Sequence, residues 1–122
     1  MKNLKLVNQT KSCTLAEMTV IADTFWSRSK GLLGRKSMSA NETLWIKGSQ
    51  LIPCNSIHTW FMNFPIDVAF VDSSLVVRAI YFNLPPWRMT WPTKGATSVF
   101  EFHSGSLQNS PIEIGDQLYV GD

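Results

Sequence analysis

The sequence predicts a mainly β domain: a β-rich α+β fold, built as a small curled sheet or partly open barrel with one short helix near residues 25–34. Short runs of β-branched and aromatic residues recur along the chain, and turn-forming residues separate them. One segment alone has the apolar spacing and end signals of a helix. Many short strands combined with a single helix are typical of small barrels and curled sheets.

Length and composition indicate one domain covering residues 1–122. A hydrophobic content of 44% with 16% charged residues is typical of a globular protein and argues against disorder. The net charge is only +2 and the basic residues are scattered, so we expect no nucleic-acid partner. No apolar run is long enough for a membrane span or a signal peptide. We expect a monomeric, cytoplasmic protein without membrane association. Whether an export leader has been removed stays an open question.

The two cysteines, Cys13 and Cys54, are too few for a disulfide framework or a four-thiolate metal site. We expect two buried thiols, with a single bridge between them as the open alternative. Cys54, His58 and His103 are of the types that bind metals, but their spacing is not that of a metal motif. The sequence therefore predicts neither a metal nor a cofactor.

The first half of the chain is predicted to form a strand, a helix and a second strand. Residues 1–16 have only a weak strand signal, whereas residues 18–22 are rich in β-forming side chains. A helix over residues 25–34 follows and ends in glycine, which adopts the left-handed conformation at a helix end without a Cβ clash. The next strand, residues 42–47, places Trp45 on the face opposite its two neighbours.

The strongest pair of strands is predicted at residues 66–71 and 75–82, joined by the turn residues Asp72-Ser73-Ser74. Both strands are apolar on both faces, so we expect this hairpin to be central in the sheet. Two further strands are expected at residues 96–102 and 117–120.

Several motifs resemble those of a widespread prokaryotic family of unknown function, domain-of-unknown-function family number one-ninety-two (DUF192). The helix motif R-x-x-G-L-L-G-R contains Arg28, Gly31, Gly34 and Arg35. The later motifs follow in the family's order: Ser56–Thr59, Met62, Phe64–Asp67 with Pro65, Asp72, Pro85–Arg88, Val99–Glu101 and Ile114–Asp116. The resemblance covers residues 17–120. It implies a compact, mostly β fold, with no established substrate, cofactor or catalytic residue. We expect Arg28, Gly31, Gly34, Arg35 and Pro65 to have a structural role.

This chain departs from the family pattern at two turns. Many members have a glycine near Trp60-Phe61 and an Ala/Gly pair after Glu101, where this chain has Phe102-His103-Ser104-Gly105. The geometry of both turns is therefore open.

The stretch Cys54–Asp72 is the densest in groups that can do chemistry. Cys54, His58 and Asp67 are the residue types of a nucleophile, a base and the carboxylate that orients the base. Cys54 and His58 are about 13 Å apart in an extended chain, so their contact requires a turn. A hairpin centred on Asn63 puts Thr59 opposite Asp67. A shift of the strand register by one residue puts His58 opposite Asp67 instead. One alternative is therefore a small hydrolase or transferase.

A structural role for the same residues is the competing interpretation. His58 and Thr59 then satisfy buried backbone groups, as buried polar residues usually do. Asp67 accepts N–H groups at the turn or pairs with Arg28 or Arg35.

The loop at residues 83–95 contains three prolines, two tryptophans and an arginine. Prolines stiffen it and present Trp87 and Trp91 at low entropic cost, which suits a sugar, a peptide or another flat apolar ligand. Arg88 adds a contact to a carboxylate or phosphate. The alternative is a lid, in which both indoles fold inward over an open barrel end. The remaining tryptophans are expected in or near the core.

These features favour a non-catalytic ligand-binding or accessory module over an enzyme. Its expected partner is a small molecule or a peptide, bound in a pocket formed by His58, Thr59, Met62 and Asp67 and rimmed by Trp87, Arg88 and Trp91. Two alternatives stay open: a hydrolase or transferase that uses His58 with Cys54 or Asp67, and a protein-interaction module that docks through residues 87–91. Each requires the 54–72 segment and the tryptophan loop to meet.

Overall fold

The structure, a computed structural model, describes residues 4–22 and 35–122. Eight strands form in this part: β1 Lys5–Asn8, β2 Cys13–Ala16, β3 Met18–Ala22, β4 Glu42–Ile46, β5 Ile66–Val71, β6 Val77–Leu84, β7 Ser98–His103 and β8 Leu118–Gly121. The described residues contain no α-helix, and so none long and apolar enough to cross a membrane. The predicted mainly β class is confirmed. The predicted helix near residues 25–34, with Arg28, Gly31 and Gly34, lies outside the described residues.

The strands form two sheets that do not close into a barrel. One has the order β2-β1-β8, and the other has the order β3-β4-β7-β5-β6. In the larger sheet β3 runs parallel to β4, and every other neighbouring pair is antiparallel. The single curled sheet or partly open barrel expected from the sequence is therefore replaced by two separate sheets. Strand content is a local property, but the division between sheets is set by long-range pairing.

The predicted hairpin of residues 66–71 and 75–82 is confirmed as β5 and β6. Its predicted central position is right for β5, which is buried along its whole length. It is wrong for β6, which forms an edge of the sheet and leaves Arg78 and Asn83 exposed. The apolar residues of β6 favoured a central position, whereas charged and polar side chains are typical of edge strands.

Two apolar cores lie on opposite faces of the five-stranded sheet. The inter-sheet core packs this sheet against the three-stranded one and includes Leu6, Trp45, Phe100, Phe102 and Leu118. The second-face core covers the other side and includes Leu44, Ile46, Met62, Val68 and Val99. The alternation predicted around Trp45 is confirmed, since its two neighbours belong to the other core. Because both faces are covered, β4 and β5 are buried throughout, and β5 is apolar at every position but Asp67.

The three-stranded sheet joins the beginning of the described chain to its end. β1 pairs antiparallel with both β2 and β8. The sequence pattern indicates β1 only weakly and does not predict β2, because each has four residues and polar side chains interrupt its alternation. Cys13, on β2, and Cys54 are both partly buried, and neither forms a disulfide bond.

A buried carboxylate, Asp116, connects the ends of β1 and β8. Its oxygens accept hydrogen bonds from Asn8 Nδ2 at 2.8 Å, Lys11 Nζ at 2.9 Å and Glu113 N–H at 2.9 Å. Burial alone would raise the pKa of Asp116, but the hydrogen bonds and the charge of Lys11 hold it below its ordinary value. The carboxylate therefore acts as a cross-link between the first and last strands in its ionised form.

Replacing Asp116 with Ala should lower the free energy of unfolding by about 2 kcal/mol at pH 7, because it leaves buried donors without an acceptor. Urea unfolding measures the loss. Since the pKa of Asp116 is lowered in the fold, its contribution should disappear as the pH falls below about 4. The matched control is Glu113→Ala, which removes an exposed partner of Lys11 and should cost less than about 1 kcal/mol. Equal losses in the two variants would contradict the cross-link.

Candidate functional site

Two long connections cross the second face of the five-stranded sheet. Residues 47–65 join β4 to β5, and residues 85–97 join β6 to β7. Each connection links two strands that run in the same direction and have one strand between them, so it must travel back along the sheet. Both connections contribute side chains to the second-face core. They therefore lie side by side on the same face.

Main-chain hydrogen bonds join the two connections along their length. Cys54 N–H donates to Thr97 O at 2.9 Å, Thr93 N–H to Asn55 O at 2.8 Å, Thr90 N–H to Ile57 O at 2.9 Å and Thr59 N–H to Arg88 O at 2.8 Å. Between the last two bonds, His58 and Met89 form an antiparallel bridge. The histidine segment thus meets the tryptophan loop. It pairs with that loop and not, as a hairpin within residues 54–72 would require, with β5.

Thr59 is the residue that fixes this junction. Its side chain is fully buried, and its hydroxyl donates to Pro85 O at 2.7 Å while accepting from Arg88 N–H at 2.8 Å. Its own carbonyl accepts from Trp87 N–H at 2.9 Å. One threonine therefore satisfies main-chain groups at three positions of the tryptophan loop, as the structural interpretation of the sequence predicts for it.

Large side chains project to solvent from this junction and form what we call the aromatic platform: His58, Trp60, Phe61, Trp87, Met89 and Trp91. The His58 ring stacks on Trp60 at 4.8 Å between centroids, and Phe61 packs against Trp87 at 4.7 Å. Exposure reaches 57% for Trp87 and 84% for Trp91. The inward-folded lid is therefore wrong, and so is the expectation that Trp60 lies in or near the core, since Trp60 is 42% exposed.

Phe61 and Trp87 both have a left-handed backbone conformation, with φ of 65° at each. This conformation is uncommon for bulky residues and costs about 1–2 kcal/mol at each position. It is the conformation that favours glycine, the residue that the family resemblance led us to expect near Trp60-Phe61. Here two aromatic rings that contact each other occupy strained positions instead.

A half-open trough of about 350 Å³ lies beside the platform, lined by Ser56, Met89, Thr90, Trp91 and Pro92. Its size is near the lower limit of the roughly 300–1,000 Å³ that is usual for small-molecule sites. Apolar surface dominates the lining, and Ser56 and Thr90 are its two polar residues. The Thr90 hydroxyl already accepts from Ile57 N–H at 3.0 Å.

Asp67 does not join this site. It alternates along β5 with residues of the second-face core, whereas Met62 packs within that core. The Asp67 carboxylate accepts N–H bonds from Asn83 at 2.7 Å, Gly105 at 3.0 Å and Leu107 at 2.9 Å. Of the two structural roles expected for Asp67, it has the first, acceptance of main-chain N–H groups. The predicted pocket is thus split between an exposed part, His58, Trp87, Arg88 and Trp91, and three buried residues, Thr59, Met62 and Asp67.

The His58 imidazole is exposed, and its Nδ1 accepts a hydrogen bond from Trp60 N–H at 3.3 Å. Within residues 4–22 and 35–122, no hydrogen bond or ion pair connects His58 to Asp67. The Cys54 thiol lies 3.9 Å from Ser56 O. The described residues also contain no group of three or more His, Cys, Asp or Glu side chains arranged to hold a metal. The base–carboxylate pair of the enzyme hypothesis is therefore not assembled.

The structural motif residues that can be described hold the connections in place. Arg35 Nη2 pairs with Glu42 Oε1 at 2.7 Å, and Arg35 O accepts from Asn63 Nδ2 at 2.8 Å. Burial would raise the pKa of Glu42, but hydrogen bonds from Ser39 N–H and Arg35 lower it overall. Pro65 directly precedes β5 and fixes where this strand begins.

Glu101 is a buried acid that sequence reasoning did not select as a site residue. It lies on β7 opposite Leu44 and Val68, two members of the second-face core, and is 4% exposed. Among the described residues its Oε1 has no hydrogen-bond partner. Burial raises the pKa of Glu101 from its ordinary value of 4.5 to about 7. The available signal was a lone charge within the apolar run Val99–Phe102.

Comparison with known proteins places this chain among uncharacterised relatives. The model of the family DUF192, described as "Uncharacterized ACR", matches residues 6–120. A UPF0127 protein from Thermococcus sibiricus is 34% identical over 113 residues, which cover 93% of this chain and 72% of the relative. The family resemblance found in the sequence motifs is therefore confirmed. The region matched by the family model begins at residue 6, whereas the region covered by the motifs begins at residue 17.

Two solved structures share the fold. A protein of unknown function from Novosphingobium aromaticivorans has a TM-score of 0.79 and 21% identity, covering 96% of this chain and 83% of that one. A "putative transcription regulator" from Sinorhizobium meliloti has a TM-score of 0.78 and 19% identity, covering 97% and 92%. At these identities the likeness shows the fold alone.

Replacing Thr59 with Val should lower the free energy of unfolding by about 2–3 kcal/mol, because Pro85 O and Arg88 N–H lose their buried partner. The near-ultraviolet circular dichroism of the tryptophans should weaken as the platform loosens. Thr59→Ser keeps the hydroxyl and should lose less than about 1 kcal/mol. If both variants unfold at the same urea concentration, the hydroxyl does not hold the junction.

Glu101 should make the protein less stable as the pH rises. The fold raises the pKa of Glu101. Between pH 4.5 and about 7 its carboxyl is therefore protonated in the folded state and ionised in the unfolded state. Stability from this source is complete below pH 4.5 and falls by up to about 3 kcal/mol by pH 8. Glu101→Gln should remove this slope in urea unfolding at pH 5 and pH 8. An unchanged slope in the variant would contradict the assignment.

Proposed function

Because this chain belongs to the DUF192 family of uncharacterised proteins, whose name assigns no activity, we propose from its own geometry that it is a non-catalytic binding module. Its aromatic platform receives a flat, largely apolar ring surface, such as that of a sugar or of an aromatic compound. The trough beside Trp91 accommodates the adjoining part of the ligand.

The observation that carries this proposal is the exposure of rings on a rigid support. Trp87, Trp91 and Phe61 are each more than half exposed. Adjacent exposed aromatic side chains are unusual on a monomer surface and typically mark binding sites. They add little to folding, because their faces remain in water.

Rigid support lowers the entropic cost of binding. Thr59 ties three main-chain positions of the tryptophan loop, and Pro85, Pro86 and Pro92 restrict the same loop. Aromatic side chains have only two χ angles, so little conformational entropy remains to be lost when a ligand packs on them. The left-handed conformations of Phe61 and Trp87 are consistent with such a role, since backbone strain clusters at functional sites.

A second candidate is a protein-interaction module, and the 84% exposure of Trp91 favours it. In this case the 87–91 segment inserts into a groove of a partner chain, as exposed tryptophans do at interaction hot spots. The trough beside Trp91 favours the small ligand, since an inserted anchor residue needs no cavity of its own.

The test is a thermal-shift screen of neutral sugars, short peptides and aromatic compounds, followed by titration of wild-type and variant proteins. A ligand that binds the folded state raises its melting temperature by mass action. Phe61→Gly and Trp87→Gly should each weaken binding about tenfold or more. Both should leave the melting temperature nearly unchanged, because glycine adopts the left-handed conformation without strain.

The matched control is Ser12→Gly, which replaces another exposed left-handed residue on the three-stranded side of the molecule. It should bind ligand as the wild type does. The proposal is wrong if every ligand found in the screen keeps its affinity in both platform variants, or if no ring compound stabilises the wild type.

A further inference from the structure

The segments that carry the aromatic platform have a one-sided charge. Residues 48–66 and 84–100 contain no Asp or Glu, and their two cationic residues are Arg88 and Lys94. The carboxylates that directly follow these segments, Asp67 and Glu101, are both buried. A ligand that approaches these segments therefore meets fixed positive charge without an exposed carboxylate of the same segments to compete for it.

Arg88 is exposed between two members of the platform, Trp87 and Met89. Its main chain is held by Thr59 on both sides, since Arg88 N–H donates to Thr59 Oγ1 at 2.8 Å and Arg88 O accepts from Thr59 N–H at 2.8 Å. In the part of the chain that the structure describes, the guanidinium forms no ion pair, whereas Arg35 and Arg78 each pair with a carboxylate. Arg88 is thus an anchored arginine whose charge is neutralised by no carboxylate of residues 4–22 and 35–122.

Lys94 lies at the other end of the trough segment. The preceding residue is anchored by the bond from Thr93 N–H to Asn55 O at 2.8 Å, and Gly95 turns the chain with a φ of 84°. Lys94 is exposed and likewise has no ion pair with any described residue. The trough-lining residues 89–92 therefore lie, along the chain, between two cations that no described carboxylate pairs with.

We propose that the natural ligand is anionic: a small molecule in which a phosphate or a carboxylate is joined to a flat ring. The ring packs on the aromatic platform, and the oxyanion binds the guanidinium of Arg88, with Lys94 adding long-range attraction. This inference rests on the proposed binding function and adds the chemical class of the ligand.

The chemistry of the guanidinium supports this class. Its planar fork offers parallel N–H donors that match two oxygens of a phosphate or a carboxylate, and such charge-assisted bonds are stronger than neutral ones. Anchoring of the Arg88 main chain by Thr59 fixes the point from which the side chain extends. A ligand that consisted only of a ring would contact the indoles and leave the Arg88 guanidinium without a role. The indoles and the guanidinium together therefore favour a ligand that has both a ring and an oxyanion.

Two matched pairs of probes test the inference: AMP with adenosine, and phenylacetate with phenylacetamide. The indole N–H signals of the five tryptophans serve as reporters in ¹⁵N-resolved NMR titrations, assigned with Trp87→Gly and a Trp91→Phe variant. The charged member of at least one pair should bind about tenfold more tightly than the neutral member, as one charge-assisted contact predicts. The pair with the larger ratio identifies phosphate or carboxylate.

Arg88→Gln should remove the preference for the charged member, so that the ratio of the two affinities within a pair falls from about ten to about one. The matched control is Lys5→Gln, which removes an exposed cation from β1 of the other sheet and should leave the preference intact. The preference should also decline as the salt concentration rises from 0.05 M to 1 M, because screening weakens exposed charge interactions.

Each other outcome overturns the inference in a distinguishable way. Equal affinity within both pairs refutes the anionic ligand, while signal shifts at Trp87 and Trp91 still support the platform. A preference that survives Arg88→Gln refutes the assignment to Arg88. If none of the four probes shifts the indole signals of Trp87 and Trp91, the anionic class fails together with the proposed binding function.

Discussion

Coverage of the five-stranded sheet on both faces is the constraint on which the rest of the structure depends. β4, β5 and β7 have apolar side chains on each face, so each face requires a covering layer. The three-stranded sheet supplies one layer. The described part of the other layer comes largely from two connections that contribute Ile57, Met62 and Ala96 to the second-face core. Because buried apolar side chains attach these connections to the sheet, the rings on their solvent-exposed side are held in fixed positions.

The junction of the two connections combines strong hydrogen bonding with local strain. Thr59 forms its bonds in a fully buried position, where each is costly to lose. Two neighbours of Thr59 have backbone conformations that are unfavourable for large side chains. These are Phe61, two residues later in the sequence, and Trp87, whose N–H donates to Thr59 O. Burial and hydrogen bonding therefore maintain an arrangement that local preferences alone would not select. Strain of this kind, combined with exposed rings, is what distinguishes the platform from an ordinary surface loop.

The two buried acids of the large sheet show how environment decides the role of a side chain. Asp67 receives three main-chain N–H groups and so orders the turn after β7. Glu101, on the neighbouring strand, lacks a hydrogen-bond partner for Oε1 among the described residues and has a raised pKa because of its burial. Sequence reasoning identified Asp67 as chemically interesting and passed over Glu101. The side chains are similar, and the difference lies in which main-chain donors the fold brings to each.

The sequence by itself determined the mainly β class, the β5–β6 hairpin and the opposite orientations of Trp45 and its neighbours. It also predicted that the histidine segment and the tryptophan loop meet, as their main-chain hydrogen bonds show. These properties follow from alternation, turn residues and proline content, which are local. Only the tertiary structure decided that the strands form two sheets, that β6 is an edge, that Trp60 is exposed and that Asp67 binds main chain in place of His58. Each of these depends on which distant strand or connection becomes a neighbour. Local periodicity contains no information about that choice, because the same alternating strand can pair in several orders with equal local preference.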